Sequence, residues 1–171
     1  MNLLTQNKKL KATSKAMGLR VFNFGIPAYK SASGKLTCPM AKTNEFVDAM
    51  NAEILKKKPD YVRVHDSGDY YSKAYLNKWI EVAIHNPSVR FYSYTNMIDM
   101  MIKTSLPDNY DVIFSDAGKQ KNLINKQEHR HTKIFSSHSD LVSANYADSS
   151  SNDLMATRWF SDNKKIGLVF H

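Results

Sequence analysis

The chain has 171 residues, a net charge of +8, 42% hydrophobic residues and 23% charged residues. This length and composition are typical of one folded domain and argue against a disordered chain. Apolar runs of only a few residues exclude a membrane span, and the first residues lack the apolar core of a secretory signal. Because Cys38 is the single cysteine, an internal disulfide is excluded, and we expect a cytoplasmic protein.

The excess positive charge lies in the first quarter of the sequence. Residues 1–44 contain eight Lys or Arg and no acid, whereas the remaining residues contain 16 basic and 16 acidic side chains. We expect a basic N-terminal arm over about residues 1–18. One interpretation is a solvated segment that aids solubility. The other is contact with nucleic acid or an acidic host protein through four lysines: Lys8, Lys9, Lys11 and Lys15.

Short β-rich runs alternate with stretches of helical periodicity along the chain. The pattern predicts strands over residues 19–24, 61–64, 89–94, 110–114, 133–135 and 166–170. It predicts helices from Thr43 or Asn44 to Lys57, after the cap Ser72, and from Met97 to Lys103 after the cap Asn96. Residues 31–34 and 147–153 are predicted to be loops.

This alternation predicts a single α/β domain over residues 1–171, with βα repeats and a mainly parallel sheet. An incomplete or reduced barrel would give the same pattern. Polar residues follow five of the strands, ending with His171. Since parallel strands place their carboxyl ends at one edge, we expect these side chains to converge on a pocket there.

The densest polar group is His65-Asp66-Ser67-Gly68-Asp69, directly after a predicted strand. Gly68 permits a positive φ that can turn the carboxylates inward. Asp66 and Asp69 have the oxygen ligands that Mg²⁺ or Mn²⁺ prefers, or could act as acid and base, and His65 could transfer protons. The alternative is local: Asx turns and acids near a helix N-terminus stabilise such loops without any ligand.

Further candidate ligand-binding residues lie in the same loop and at the other strand ends. Polar and hydroxyl side chains of this kind could bind a small polar or phosphorylated ligand, although a loop Asp or Ser commonly only satisfies backbone donors. These candidates are Ser67, Tyr70, Thr95, Asn96, Ser115, Asp116 and His138.

Several segments resemble the phage "gene product eighty-eight" family. They are residues 23–28, Thr37-Cys38-Pro39-Met40-Ala41, residues 63–72, Phe91-Tyr92-Ser93-Tyr94-Thr95 and residues 162–171. The resemblance covers most of the chain and implies a bacteriophage or prophage origin. It brings no settled activity.

The chain departs from this family after Cys38. Family members continue into further closely spaced cysteines, and the resemblance there is to a cluster-bearing, radical-SAM-like barrel. Here Ala41 is followed directly by Lys42, and one thiolate cannot hold an iron–sulfur cluster within one chain. We therefore expect a reduced relative, without that cluster, that binds a small polar or phosphorylated ligand, with a divalent metal as an optional partner. The alternative is a non-catalytic module that binds nucleic acid or inhibits a host protein.

Overall fold

The structure is a computed structural model that describes residues 2–24, 29–30, 36–37 and 42–169, with backbone alone for 29–30 and 36–37. The loop predicted at residues 31–34, Cys38 and His171 lie outside the described residues. The predictions made for them are therefore not addressed by the structure.

Eight strands form one sheet in the order β1-β2-β5-β6-β7-β8-β10-β9. Only β1 pairs antiparallel, with β2, and every other neighbouring pair in this sheet is parallel. The sheet does not close into a barrel. The predicted α/β fold with a mainly parallel sheet is therefore confirmed, in its open form. The strands are β1 (Leu4–Thr5), β2 (Val21–Phe24), β5 (Tyr61–Arg63), β6 (Arg90–Thr95), β7 (Tyr110–Ser115), β8 (His131–Phe135), β9 (Ala147–Asp148) and β10 (Lys165–Val169).

A separate two-stranded antiparallel pair is formed by β3 (Tyr29–Lys30) and β4 (Leu36–Thr37). The predicted loop at residues 147–153 contains the short edge strand β9 and then begins a 3-10 helix, Asp153–Ala156.

Within the described residues, five α-helices connect the strands: α1 (Lys8–Met17), α2 (Phe46–Lys57), α3 (Lys73–His85), α4 (Ile98–Ile102) and α5 (His138–Ser143). The predicted cap Ser72 is confirmed, since its side chain accepts a hydrogen bond from the Tyr75 backbone N–H. No helix among the described residues is both long and apolar enough to span a bilayer.

Two predicted helix starts were wrong. Helix α2 begins after Glu45 rather than after Thr43 or Asn44, and α4 begins after Met97 rather than Asn96. At α4 the reason is a competing hydrogen bond. The Asn96 backbone N–H donates to Asp69 and the Met97 N–H to the Thr95 hydroxyl, so Thr95 closes the turn that Asn96 was expected to cap.

The sheet has a hydrophobic core on each face. On the first face, α2, α3 and α4 cover the strands through a cluster that includes Phe46, Trp79, Val62 and Phe91. On the second face, α1 and the 3-10 helix Asp153–Ala156 pack on the strands, and the cluster includes Leu10, Tyr92, Ile113, Leu154 and Ile166. Strand residues alternate between the two clusters, as parallel strands covered on both sides require.

The basic N-terminal segment is folded onto this domain. Leu4 of β1 pairs with Phe24, and Leu10 and Thr13 of α1 are fully buried. Asn7 caps α1 by accepting a hydrogen bond from the Leu10 N–H. The segment that one interpretation took as solvated is thus an edge strand and a covering helix, because Leu3 and Leu4 enter the core of the first face and Leu10 that of the second.

Candidate functional site

A cavity of about 430 Å³ lies at the carboxyl edge of the sheet, on the face covered by α1. Residues from β5, β6, β7, β8 and β10 contribute to its wall, and α1 and the 3-10 helix contribute from the opposite side. Its lining residues are Lys9, Arg63, Tyr94, Ser115, Asp116, Ala117, Thr132, Lys133, Ile134, Asp153 and Leu168. Its size is that of a small-molecule pocket, and its place is where α/β folds bind ligands.

Asp153 organises the charge of this cavity. Its side chain is 1% exposed, and the Nζ atom of Lys9 lies 2.8 Å from one carboxylate oxygen. The other oxygen accepts from Tyr92, with the hydroxyl at 2.7 Å, and lies 3.4 Å from Nη1 of Arg63. Tyr94 also donates to this carboxylate, at 3.3 Å. One buried anion therefore holds two cations in the cavity wall.

The carboxylate of Asp153 remains ionised despite its burial. Burial alone favours the neutral acid, but the charges of Arg63 and Lys9, with the hydrogen bonds from Lys9 and Tyr92, hold the pKa of Asp153 below its ordinary value. Burial and the neighbouring Asp153 charge raise the pKa of Tyr92 and Tyr94 well above the ordinary value. Both tyrosines are therefore neutral hydrogen-bond donors near neutral pH.

Arg63 is fixed at the end of β5 by three contacts. Its Nε donates to the His65 carbonyl at 2.9 Å, its Nη1 faces Asp153, and its guanidinium lies 4.9 Å from the centre of the Tyr94 ring. Burial lowers the pKa of Arg63, but the combined electrostatic effect of Asp153, Tyr94, Tyr92 and Asp66 outweighs this, and the pKa is raised. Among the described residues, Nη2 has no hydrogen-bond partner, so this fixed cation retains donors for a ligand.

The far side of the cavity carries a second acid, Asp116, which follows β7 and forms an ion pair with Lys126, with Nζ 2.9 Å from the carboxylate. Lys133 of β8 also lines the cavity. Among the described residues Lys133 forms no ion pair, and its Nζ lies 5.1 Å from the centre of the Phe135 ring. Because side chains alternate along a strand, the ammonium group of Lys133 lies on the Phe135 side of β8, opposite Ile134.

The structure places His65 away from this cavity. Its ring packs against Tyr70, with ring centres 4.6 Å apart, and its Nε2 lies 3.2 Å from the Tyr75 hydroxyl of α3. Burial, aided by the Arg63 charge and opposed by Asp69, lowers the pKa of His65 to about 4. Its Nδ1 is buried and has no hydrogen-bond partner among the described residues. His65 is therefore neutral at physiological pH, on the α3 side of the sheet.

The two carboxylates predicted beside it point to different parts of the molecule. Asp66 is exposed and accepts a hydrogen bond of 2.5 Å from the Asn7 side chain. Asp69 accepts from the Tyr70 N–H, the Thr95 hydroxyl and the Asn96 N–H, at 2.8, 2.5 and 2.7 Å. Gly68 between them has the expected positive φ, 88°. Within the described part of the chain, no three His, Cys, Asp or Glu residues form a group suited to a metal ion.

The other predicted ligand-binding residues divide between the cavity and the scaffold. Ser115 and Asp116 line the cavity, whereas Thr95 and Asn96 bind Asp69. Tyr70 is fully buried, donates to Ser93 at 2.9 Å and contacts the Tyr110 hydroxyl.

The remaining members of that set are exposed. Ser67 lies in the loop before Gly68, and His138 begins α5, with its Nε2 3.5 Å from Asp148. Of the four lysines predicted to bind nucleic acid, Lys9 lines the cavity. Lys8, Lys11 and Lys15 are exposed on α1 at a spacing that places them on one helical face.

The sequence predictions did not select Arg63, Tyr94, Lys133 or Asp153. A signal existed for Arg63, because it is a charged residue at the carboxyl end of a short, otherwise apolar strand. Asp153 carried no such signal. It lies in a polar segment and becomes central only because the chain folds back over α1, where its backbone N–H donates to Thr13.

Residues 40–169 match the family model described as Gene product 88. Among curated proteins and among solved structures, nothing matches the chain significantly. The match covers well over half of the sequence and includes every strand from β5 to β10, and therefore most of the cavity wall. The chain belongs to the Gene product 88 family of phage proteins.

Proposed function

We propose that this protein binds a small phosphorylated ligand in the cavity at the carboxyl edge of its sheet. The observation that carries the proposal is the convergence of Lys9 and Arg63 on one cavity of about 430 Å³. Phosphate oxygens are strong acceptors, and arginine and lysine bind them through charge-assisted hydrogen bonds.

The charge balance of the cavity supports this ligand class. Asp153 offsets only one of the two positive charges of Lys9 and Arg63, and Asp116 is paired with Lys126, so a positive charge remains beside Asp153. Because Asp153 holds these two cations in place, little side-chain freedom is lost when an anion binds. Ile134, Leu168 and Ala117 add an apolar wall that suits the carbon skeleton of such a ligand.

Isothermal titration calorimetry with pyrophosphate and with adenosine 5′-monophosphate tests this proposal. Lys9→Met removes one cation while Arg63 still pairs with Asp153, and should weaken binding about tenfold, the value of one hydrogen bond to a charged group. Lys56→Met on α2, where the residue is exposed, is the matched control and should bind as the wild type does. Absence of heat with both ligands, or equal affinity of Lys9→Met and the wild type, would contradict the proposal.

A further inference from the structure

A second, open cavity of about 570 Å³ adjoins the first. It is lined by Asp116, Lys121, Asn122, Ile124, Lys126 and Lys133. Asp116 and Lys133 line both cavities, so the two adjoin near the carboxyl ends of β7 and β8, and together they are called the groove. Positive charge thus extends from Lys9 inside the first cavity to Lys121 at the surface.

The loop that carries the outer lysines is held in place. Ile124 is buried within the core of the first face, and Lys126 is paired with Asp116 at 2.9 Å. Gln120 accepts a hydrogen bond of 3.0 Å from the Asp99 N–H of α4. The 3-10 helix Lys121–Leu123 begins directly after Gln120, so Lys121 projects from an anchored turn. The outer cations are therefore positioned before any ligand arrives.

We propose that this groove binds single-stranded nucleic acid, with one nucleotide in the first cavity and the following backbone phosphates along Lys133, Lys126 and Lys121. This inference rests on the proposed function, because the inner nucleotide uses the same cations as the small ligand. A groove of spaced cations that follows the backbone is the usual feature of single-strand binding. Cations in two adjoining cavities suit a ligand with several separated negative charges, and a cavity of about 430 Å³ has the size of a small-molecule site rather than of a duplex site.

Apolar side chains along the groove suit unpaired bases. Ile134 is 57% exposed and lines the first cavity, and Leu123 is 40% exposed on the loop beside the second. The Tyr94 ring lies in the wall of the first cavity, against Arg63. These groups give a base an apolar surface without reading its identity, so we expect weak sequence preference.

Fluorescence anisotropy with labelled oligothymidylates of one, four and eight nucleotides tests the inference. Affinity should rise with length and fall steeply with salt concentration, because each bound phosphate releases counterions. Lys121→Glu should weaken binding of the eight-nucleotide strand by about tenfold or more and reduce the salt dependence by about one unit of slope. Lys56→Glu makes the same charge change on α2 and should have little effect.

Pyrophosphate calorimetry on the same variants separates the two proposals. Lys121→Glu should leave pyrophosphate binding in the first cavity unchanged. The nucleic-acid inference fails, while the small-ligand proposal stands, if pyrophosphate binds but eight nucleotides bind no tighter than one. It also fails if Lys121→Glu and Lys56→Glu bind the eight-nucleotide strand with the same affinity. An eight-base-pair duplex that binds as tightly as the single strand would also overturn it. If the wild type binds neither pyrophosphate nor the single strand, both proposals are wrong.

Discussion

Lys9 of α1 and Asp153 of the C-terminal 3-10 helix form an ion pair of 2.8 Å that joins the two ends of the described chain above the sheet. The carboxylate also faces Arg63, which comes from the end of β5. Three segments distant in sequence therefore meet at one buried charge, and the cavity wall depends on that meeting.

Asp153→Asn should destabilise the protein by about 3 kcal/mol, because removing one partner leaves buried cations without their counterion. Urea denaturation followed by circular dichroism measures this. Lys9→Met, which alters a partly exposed side chain, should cost less, about 1 kcal/mol. The double variant should be more stable than the sum of the single changes implies, since it leaves no Lys9 charge unpaired beside residue 153. Strict additivity would show that the pair contributes little.

The acid limb of the stability curve should also change in Asp153→Asn. The folded-state pKa of Asp153 lies below its ordinary value. Its ionised carboxylate therefore contributes fully to the free energy of unfolding above the unfolded-state pKa, and this contribution is lost as pH falls through the folded-state pKa. Measured from pH 5 downward, the wild type should lose stability more steeply than the variant. Parallel curves for the two proteins would argue against this role.

His65 should make the protein less stable as pH falls from about 6.5 to about 4. Its folded-state pKa is about 4, below the unfolded value, so over this range the unfolded chain binds a proton that the folded protein does not. Protonation therefore stabilises the unfolded state relative to the folded one. The full effect is about 3 kcal/mol, from about 1.4 kcal/mol for each pKa unit. His65→Asn should lack this part of the pH dependence, whatever its stability at pH 7. An NMR titration that finds the imidazole midpoint near 6.5 would contradict the burial argument.

Asp69→Asn should cost about 2 kcal/mol, because an amide cannot accept all three hydrogen bonds that hold Thr95 and the backbone of Tyr70 and Asn96. Asp66→Asn is the matched comparison and should cost under about 0.5 kcal/mol, since Asp66 is exposed. Thermal unfolding compares the two. Equal losses would mean that Asp69 does not brace this loop.

The predicted metal site at Asp66 and Asp69 has its own measurement. Calorimetric titration of the wild type with Mg²⁺ and Mn²⁺ should release heat that Asp66→Asn abolishes if the two carboxylates share an ion. A titration without heat would count against that prediction, while the structural role of Asp69 would be unaffected.

Gly167→Ala should destabilise the packing of α5 on the sheet. A methyl group at this position would lie 2.4 Å from Cδ1 of Leu141, which is fully buried. Such overpacking costs about 2 kcal/mol. Leu141→Ala alone leaves a cavity and also destabilises, but the two changes together should cost less than their sum, because the added methyl enters the vacated space. Additive losses in chemical denaturation would contradict this packing.

Much of the fold could be predicted because its signals are local. Alternating strands and helices appear as short apolar runs and helical periodicity, and the Ser72 cap needs only the hydrogen bond to Tyr75 three residues later. The carboxyl-edge location of polar residues follows from parallel pairing, and Ser115 and Asp116 at that edge line the first cavity. The start of α4 was missed because a distant carboxylate, Asp69, occupies the Asn96 N–H.

The sequence by itself determined the alternation of strands and helices from β5 to β7, the excess of positive charge and the edge of the sheet where polar groups gather. Only the tertiary structure decided which of those groups share a cavity. Strand alternation would put His65 on the same face as Arg63, but β5 ends at Arg63 and the chain turns His65 toward Tyr75. Asp153 joins Lys9 and Arg63 through contacts between distant segments, and no local pattern specifies such contacts because they form only when the whole chain packs.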